Sequence, residues 1–498
     1  MKLKHLSLSV MIMGTAFGLA STQAAASGYQ FGSQSVSGQG TAHANGAEAA
    51  DPSTIFTNPA GLSRLDGTQL VIGTTLVVPH SEYTDSGSTN SNYFAKYGLP
   101  ARQTGGGNGD GFAPSVVAAP TFYLSHKIND KFTAGIGLFV PYGAKLDYGS
   151  TWAGRYSLKS IDLQSFNINP SISLKLDERQ SIGFGVSAQY MKASLEKMTD
   201  ATSGLNALLF SSIYKATGSA AQAAQAVAAA GINGDGVAKV EGDDWGFGWN
   251  IGYMFQLNDN TRFGLAYRSS VKQSLSGNST WTFNGVTGNV PASIYALAGV
   301  SPSSGPGAIA KLQRPDASAS VDVTTPETAS ANFFHQLNPT VALMGDVTWV
   351  RNSRLQQLDI KQFSSPAQGD LVLHQNWKDT WRVSFGGNYQ LNDSWMLRSG
   401  VAWEQSPVQS DDQRHPAIPD SDRIWLSFGA NYKINKQSSI DLAYSFIDFK
   451  NANVNYTDSC NPSGTMANGA LCTGNGETTK GTYKTYLQLI GLQYNYRF

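Results

Sequence analysis

Hydrophobic and polar residues alternate with period two through most of this chain. From Tyr486 to Phe498, one row holds Tyr486, Gln488, Ile490, Leu492, Tyr494, Tyr496 and Phe498, and the other holds Leu487, Leu489, Gly491, Gln493, Asn495 and Arg497. In Trp245 to Leu257 the apolar row is Trp245, Phe247, Trp249, Ile251, Tyr253, Phe255 and Leu257, and in Ser438 to Ile447 it is Ile440, Leu442, Tyr444 and Phe446, with Asp441, Ala443 and Ser445 on the other face. Period two is the signature of a strand with two unlike faces. Further strands are predicted to start near Thr68, Val116, Phe132, Ile161, Ser181, Thr261, Val321, Pro339, Trp381, Trp395 and Arg423. An apolar face on nearly every strand and an aromatic C-terminus suit a barrel with lipid outside and a lumen inside; a soluble sandwich with one wet face is the alternative.

The connections fall into two sizes. Asn129-Asp130, Asp177-Glu178, Asn258-Asp259-Asn260, Asn392-Asp393 and Asn435-Lys436 read as tight hairpin turns on the periplasmic side. Residues 198–243 and 277–317 are too long to be structureless and read as extracellular loops carrying helices. Leu205, Leu208, Leu209, Ile213 and Tyr214 share a helical face, Ala220 to Ala230 is rich in helix formers, and Pro291 to Val300 reads as a third short helix. Such apolar loop helices either pack on themselves over the barrel mouth or receive a hydrophobic ligand.

Composition narrows the class. Of 498 residues 14% are charged, 11% are aromatic and 52 are glycine, which fits many strands around a crowded lumen. Thirty-five basic and 35 acidic residues cancel, so nothing marks a nucleic-acid partner. Lys2 and Lys4, an apolar run from Leu6 to Ala20, and Thr22-Gln-Ala-Ala-Ala26 form a secretory signal, with cleavage expected after Ala26. The expected division is a signal peptide at 1–26, a lumenal segment at 27–66 and the barrel at 67–498. No later stretch reaches the roughly 20 apolar residues of a spanning helix, so any crossing must be by strands, which points to the Gram-negative outer membrane. Cys460 and Cys472 are the two cysteines, and in an exported chain they read as a disulfide that stiffens a surface loop; free thiols or a metal pair are the alternatives.

The segment from Ser27 to Asp66 is rich in glycine, alanine and serine, does not alternate, and is long enough to fold into the lumen as a plug, or hatch. A periplasmic tail is the alternative, though a tail has no use for Ile55-Phe56 beside Asn58-Pro59-Ala60. Without a plug, a barrel of this size is an open pore.

In these features the chain resembles the FadL/TodX outer-membrane transporters of hydrophobic compounds. The resemblance rests on Thr57-Asn58-Pro59-Ala60, Trp245-Gly-Phe-Gly-Trp-Asn250, Ala266-Tyr-Arg-Ser269, Trp377-Lys-Asp379 followed by Arg382, Ser406-Pro-Val408 and Ile418-Pro-Asp-Ser-Asp-Arg-Ile-Trp-Leu-Ser427, in this order over the mature chain. It implies an all-β, transmembrane antiparallel barrel of about fourteen strands with an N-terminal hatch and helical extracellular loops. It also implies import of long-chain fatty acids by passive, ligand-gated diffusion with a lateral exit, or of neutral aromatic or aliphatic hydrocarbons by the same route. By similarity Gly143, in Val140-Pro-Tyr-Gly-Ala144, marks a kink and lateral gate in the third strand, with Asn58, Pro59 and Ala60 lying against it; the same residues could merely end the membrane part of that strand. Tyr29 matches the ligand-responsive aromatic of the hatch, or else simply anchors it. Arg423 and Lys197 match basic residues of the ligand head-group site, though Arg423 could instead pair with Asp420 or Asp422. Where the fatty-acid importers have a further lysine, this chain has Leu373 beside His374, which favours a neutral ligand.

Other classes find little support. No Gly-x-Ser-x-Gly elbow occurs, and Ser212-x-x-Lys215 lacks companion motifs, so the chain does not read as an enzyme. Gly105 to Gly111 and Asn233 to Gly236 lack phosphate-loop or calcium-loop spacing, and no metal or other cofactor is expected. A hydrophilic porin is opposed by the plug. The expected partners are hydrophobic small molecules and outer-membrane lipid, and the chain reads as a monomer.

Overall fold

The computed structural model describes residues 28–90, 103–362, 371–458 and 476–498. The expected signal peptide with its cleavage at Ala26, and the expected Cys460–Cys472 bridge, lie outside the described residues.

Fourteen antiparallel strands close into a barrel. They are β1 (Thr68–Asp85), β2 (Val117–Lys127), β3 (Phe132–Phe139 and Gly143–Asp147), β4 (Ser160–Lys175), β5 (Gln180–Thr199), β6 (Gly236–Asn258) and β7 (Thr261–Arg268 and Lys272–Thr282). Then follow β8 (Ala317–Thr324 and Thr328–Asn338), β9 (Val341–Val350 and Gln357–Gln362), β10 (Leu371–His374 and Thr380–Gln390), β11 (Trp395–Glu404), β12 (Arg423–Lys433), β13 (Ser438–Phe449 and Ala452–Asp458) and β14 (Glu477–Arg497). Each pairs with its neighbour in sequence, and β14 returns to β1 in a long register from Gln69↔Arg497 to Asp85↔Gly481. Closure removes the free edges that would otherwise face lipid, except beside the interruption of β3 between Phe139 and Gly143. No helix among the described residues is long and apolar enough to cross a membrane.

The alternation sorts as the sequence predicts. Trp245, Phe247, Trp249, Ile251, Leu442, Tyr444, Ile490, Leu492 and Tyr494 are exposed on the outer wall, and their neighbours Asn250, Asp441, Ser445 and Gln493 are buried in the lumen. The tight turns share one device: an asparagine or aspartate carboxamide or carboxylate accepts the backbone N–H groups two or three residues on, at Asn129, Asp177, Asn258, Asn392 and Asn435. Asn338 makes a further turn of this kind, in front of the expected Pro339 strand.

At the opposite end the strands run further out than expected. The β5–β6 ladder continues to Thr199↔Gly236, β7 reaches Thr282 and β14 starts at Glu477, so 198–243 and 277–317 are partly ladder. Two single-turn helices precede the barrel, α1 (Val36–Gln39) and α2 (Thr54–Thr57). The outer loops carry α3 (Ala201–Thr217), α4 (Ala220–Ala230), α5 (Ala292–Ala298) and α6 (Pro306–Gln313). Helix α3 starts at Asp200, whose side chain accepts from Ser203 N–H, and stops at Gly218 in the left-handed region at φ 69°. Its Leu205 and Leu209 pack with Trp281, Phe283, Ile294, Tyr295 and Ile309 into one cluster, while Tyr214, Leu297 and Leu312 stay exposed. Most of the apolar face is therefore packed on itself, and a remainder stays exposed. Helix α6 was hidden by Pro302-Ser-Ser-Gly305-Pro306, which reads as a loop, yet Pro306 occupies the first helical turn, where its missing N–H costs nothing.

Residues 28–66 join the ladder only at Gln30 and fill the lumen. Gln493 accepts from Val36 N–H at 2.9 Å, Gln39 donates to Leu489 O, Arg262 donates to the carbonyls of Ala47 and Glu48, and Asn388 donates to Glu48 at 2.6 Å. Inward-facing glycines let the segment touch the wall: a Cβ at Gly183 would lie 2.2 Å from Pro59 C, and one at Gly400 2.2 Å from Thr41 C.

Candidate functional site

The third strand breaks where Pro141 and Gly143 predict. The β2–β3 ladder ends at Phe122↔Leu138, and beyond the break the outer part of β3 pairs with β4 alone, from Gly143↔Gln164 to Asp147↔Ser160. Such a break leaves backbone groups open in a wall that has no water on its far side, at a cost of about 1–3 kcal/mol for each group left unmatched.

The lumenal segment supplies the partners. Gln30 bridges Tyr142, Phe31 N–H donates to Pro141 O at 2.8 Å, and Gly143 N–H donates to Tyr29 O at 2.8 Å. The Gln34 carboxamide serves both groups of Val140, donating to its carbonyl at 2.6 Å and accepting from its N–H at 3.1 Å. Ser165 Oγ takes the N–H of Tyr142 at 2.9 Å and donates to its carbonyl at 2.7 Å. The break is therefore closed by Tyr29 to Phe31 and the Gln34 side chain from the lumenal segment, together with Ser165 from the wall strand β4.

Above this seal lies an apolar cavity of about 790 Å³, counting its open mouth. Tyr29 forms its floor, with Ile161 and Leu163 from β4, Met191 and Leu195 from β5, Val321 from β8, Leu358 and Ile360 from β9, and Ile418 from the β11–β12 loop. Ser194, Glu241 and Ser320 are its polar side chains, and no basic side chain among the described residues lines it. Tyr29 is 4% exposed, lies 5.3 Å from the Tyr142 ring and 5.8 Å from Trp377, and its hydroxyl has no hydrogen-bond partner among the described residues. It is held by ring packing and by the backbone around it, not by its oxygen.

The two expected cations sit elsewhere. Arg423 Nη2 donates to both carboxylate oxygens of Asp420, at 2.7 and 2.8 Å, with its ring-stacked face over Phe449. The same aspartate accepts from Ser406 Oγ and from Gly28 N–H, so the pair tethers the lumenal segment. Burial pushes the Asp420 carboxyl up from its ordinary range, with Arg423 opposing the shift. Lys197, at the outer end of β5, pairs with Asp458 at 3.1 Å, both side chains buried. Neither cation lines the cavity.

Two further expectations are resolved by position. Asn58-Pro59-Ala60 does not lie against Gly143. The Asn58 carboxamide donates to Tyr253 O and Leu265 O on β6 and β7, and Ala60 O accepts from Ser173 and Ser181 on β4 and β5. The asparagine-proline pair instead starts a 3-10 turn at Pro59–Arg64 that needs the small inner faces of Gly183 and Gly252. What lies against Gly143 is Tyr29 to Phe31. Leu373 is fully buried beside the cavity wall, packed with Ala319, Ile360 and Leu358.

The sequence did not point to Gln34 or the cavity lining, and it offered Trp377 as part of a motif without its packing on Tyr29. Gln34 carries no motif. The lining had a readable mark: along β5 the inward row passes from Ser187 and Gln189 to Met191, Ala193 and Leu195, and along β4 from Asn167 and Ser165 to Leu163 and Ile161.

An outer-membrane barrel with a buried N-terminal segment bonded to its inner wall and an apolar cavity beside a break in that wall suits a carrier of hydrophobic small molecules. The chain belongs to the outer membrane protein transport protein family (OMPP1/FadL/TodX), whose model matches residues 17–498. The members are outer-membrane transporters of hydrophobic compounds, and this chain is a Gram-negative outer-membrane protein. It is 34% identical to a putative outer membrane protein of Neisseria meningitidis serogroup B over 99% of each chain. It is 29% identical to the long-chain fatty acid transport protein of Escherichia coli K12, covering 89% of this chain and 92% of that one. Its fold matches the crystal structure of a Pseudomonas aeruginosa FadL homologue with a TM-score of 0.73 at 23% identity, over 95% of this chain and 100% of that one.

Proposed function

We propose that this chain imports long-chain fatty acids by energy-independent diffusion. Cargo is captured on the exposed apolar side chains of the outer loops, enters the cavity, displaces Tyr29, and leaves through the wall beside Gly143. The observation that carries this reading is the sharing of one segment by two structures: Tyr29 is both the cavity floor and, through its carbonyl, part of the seal on the β3 break. A ligand that lifts Tyr29 removes the floor and loosens the seal in one movement. Burial of a long acyl chain gains on the order of 10 kcal/mol gross at about 0.8 kcal/mol per methylene, enough to offset several lost hydrogen bonds. The relative that carries fatty acids supports the cargo class.

A second reading, import of neutral hydrocarbons, is favoured by Leu373 and by the pairing of Arg423 and Lys197 with aspartates, which leaves the cavity without a free cation.

Uptake of radiolabelled oleate and of a labelled neutral hydrocarbon by cells lacking their own long-chain importer, expressing this chain or its Gly143→Trp variant, separates the two. Oleate uptake that is lost in Gly143→Trp, with binding retained, is the expected result. Hydrocarbon uptake without oleate uptake shifts the cargo to the second reading, and full uptake by Gly143→Trp overturns the lateral route.

A further inference from the structure

The basic side chains along this route are not equivalent. Arg423 and Lys197 are buried and locked to Asp420 and Asp458. Withdrawing either from its partner strands a buried charge. Lys145, two positions beyond Gly143 on the outer part of β3, differs in both respects. Its acid partner among the described residues is Asp162 at 3.5 Å, with the two side chains 38% and 34% exposed. So loose and wet a pair is screened and exchanges partners at little cost.

Lys145 also lines a second cavity of about 580 Å³, counting its open mouth, which shares the wall residue Ile418 with the first. This cavity occupies the part of the wall where the ladder is missing: β1 has no β2 partner beyond Val77, and the outer part of β3 pairs only with β4. Its lining is mainly apolar, with Pro79, Leu146, Phe449 and Leu487 among the contributors. Of the other polar lining residues, Ser81 and Thr485 bond to each other at 2.6 Å, and Asp420 carries a negative charge held by Arg423. Because Arg423 neutralises Asp420, an anion crossing this space meets one exchangeable cation among the lining residues, Lys145.

We propose that Lys145 is a specificity-determining residue. It receives the carboxylate of an amphipathic cargo while the acyl chain lies in the second cavity, and so favours anionic over neutral cargo at the exit. The long lysine stem can follow the apolar wall while its ammonium swings from Asp162 to the cargo. The inference rests on the fatty-acid reading above.

The test measures uptake of oleate and of oleyl alcohol, which share a chain and differ in charge, in the same cells. The expected result is an oleate-to-alcohol uptake ratio about three- to fivefold lower in Lys145→Met than in the unaltered protein, the size of a partly exposed ion pair. Lys145→Arg should keep the ratio, and Asp162→Asn, which frees the lysine, should raise it. An unchanged ratio in Lys145→Met, or an equal fall for both cargoes, overturns the assignment while leaving the fatty-acid reading intact. Uptake of the alcohol but not of oleate by the unaltered protein overturns the fatty-acid reading and this inference with it.

Discussion

The two halves of the lumen are built from the same strands and do opposite things. In the inner half, β4 and β5 present Ser173, Ser181 and their neighbours, which bond to the lumenal segment at fixed points such as Ala60 O. In the outer half, the same inward rows present Ile161, Leu163, Met191 and Leu195, which bond to nothing and leave a cavity. Directional bonds fix a segment in register, whereas apolar contact holds a ligand without fixing its position. One continuous ladder is thus polar and bonded to the lumenal segment at one end and apolar and open at the other, with Tyr29 between them.

The largest effect expected from breaking this division is loss of the lumenal segment. Deleting residues 28–66 should turn the barrel into an open pore, raising influx of a small sugar by roughly tenfold or more, since a barrel of this size is not filled by its own side chains. Sugar flux into proteoliposomes measures this; a barrel that stays tight without the segment would show that the segment is not the plug.

A smaller change tests the seal itself. Gln34→Leu leaves both backbone groups of Val140 without their Gln34 partner and should destabilise the closed form by about 2–6 kcal/mol, two groups at about 1–3 kcal/mol each. A lower temperature for loss of the folded band on gels, together with a small sugar leak, is the expected readout. The mirror change in the outer half is Leu163→Asp. It should leave the folded band nearly where it was, because the cavity is open to its mouth, and should cut uptake of hydrophobic cargo by about tenfold through an uncompensated charge on the cavity wall. Should the two substitutions exchange their effects, the division of labour drawn here is wrong.

Much of this was legible in the chain. Outward rows such as Trp245 to Leu257 reveal strands because lipid demands an unbroken apolar face, and the asparagine turns reveal hairpins because their side chains do the capping. The Pro141–Gly143 break was equally visible, since proline cannot serve a ladder. The partners of the break were not visible. Gln34 is an ordinary polar residue until the fold brings it to Val140, and Asn58 could not be placed on β6 and β7 instead of β3 without knowing which wall its glycines line. Nor could the charge of Arg423 be assigned from its type alone: Asp420, three residues away, accepts two of its bonds.

On the proposed route, cargo passes only when Tyr29 to Phe31 leaves the β3 break. Gln30 and Tyr142 face each other between the bonds Phe31 N–H to Pro141 O and Gly143 N–H to Tyr29 O, the non-hydrogen-bonded arrangement in which opposite side chains come closest and a disulfide can fit. The decisive measurement is oleate uptake by Gln30→Cys/Tyr142→Cys, with Cys460 and Cys472 replaced by serine, before and after reduction. The oxidised protein is expected to bind oleate without importing it, and reduction to restore import; equal import in both states would show that cargo passes without displacing Tyr29 to Phe31.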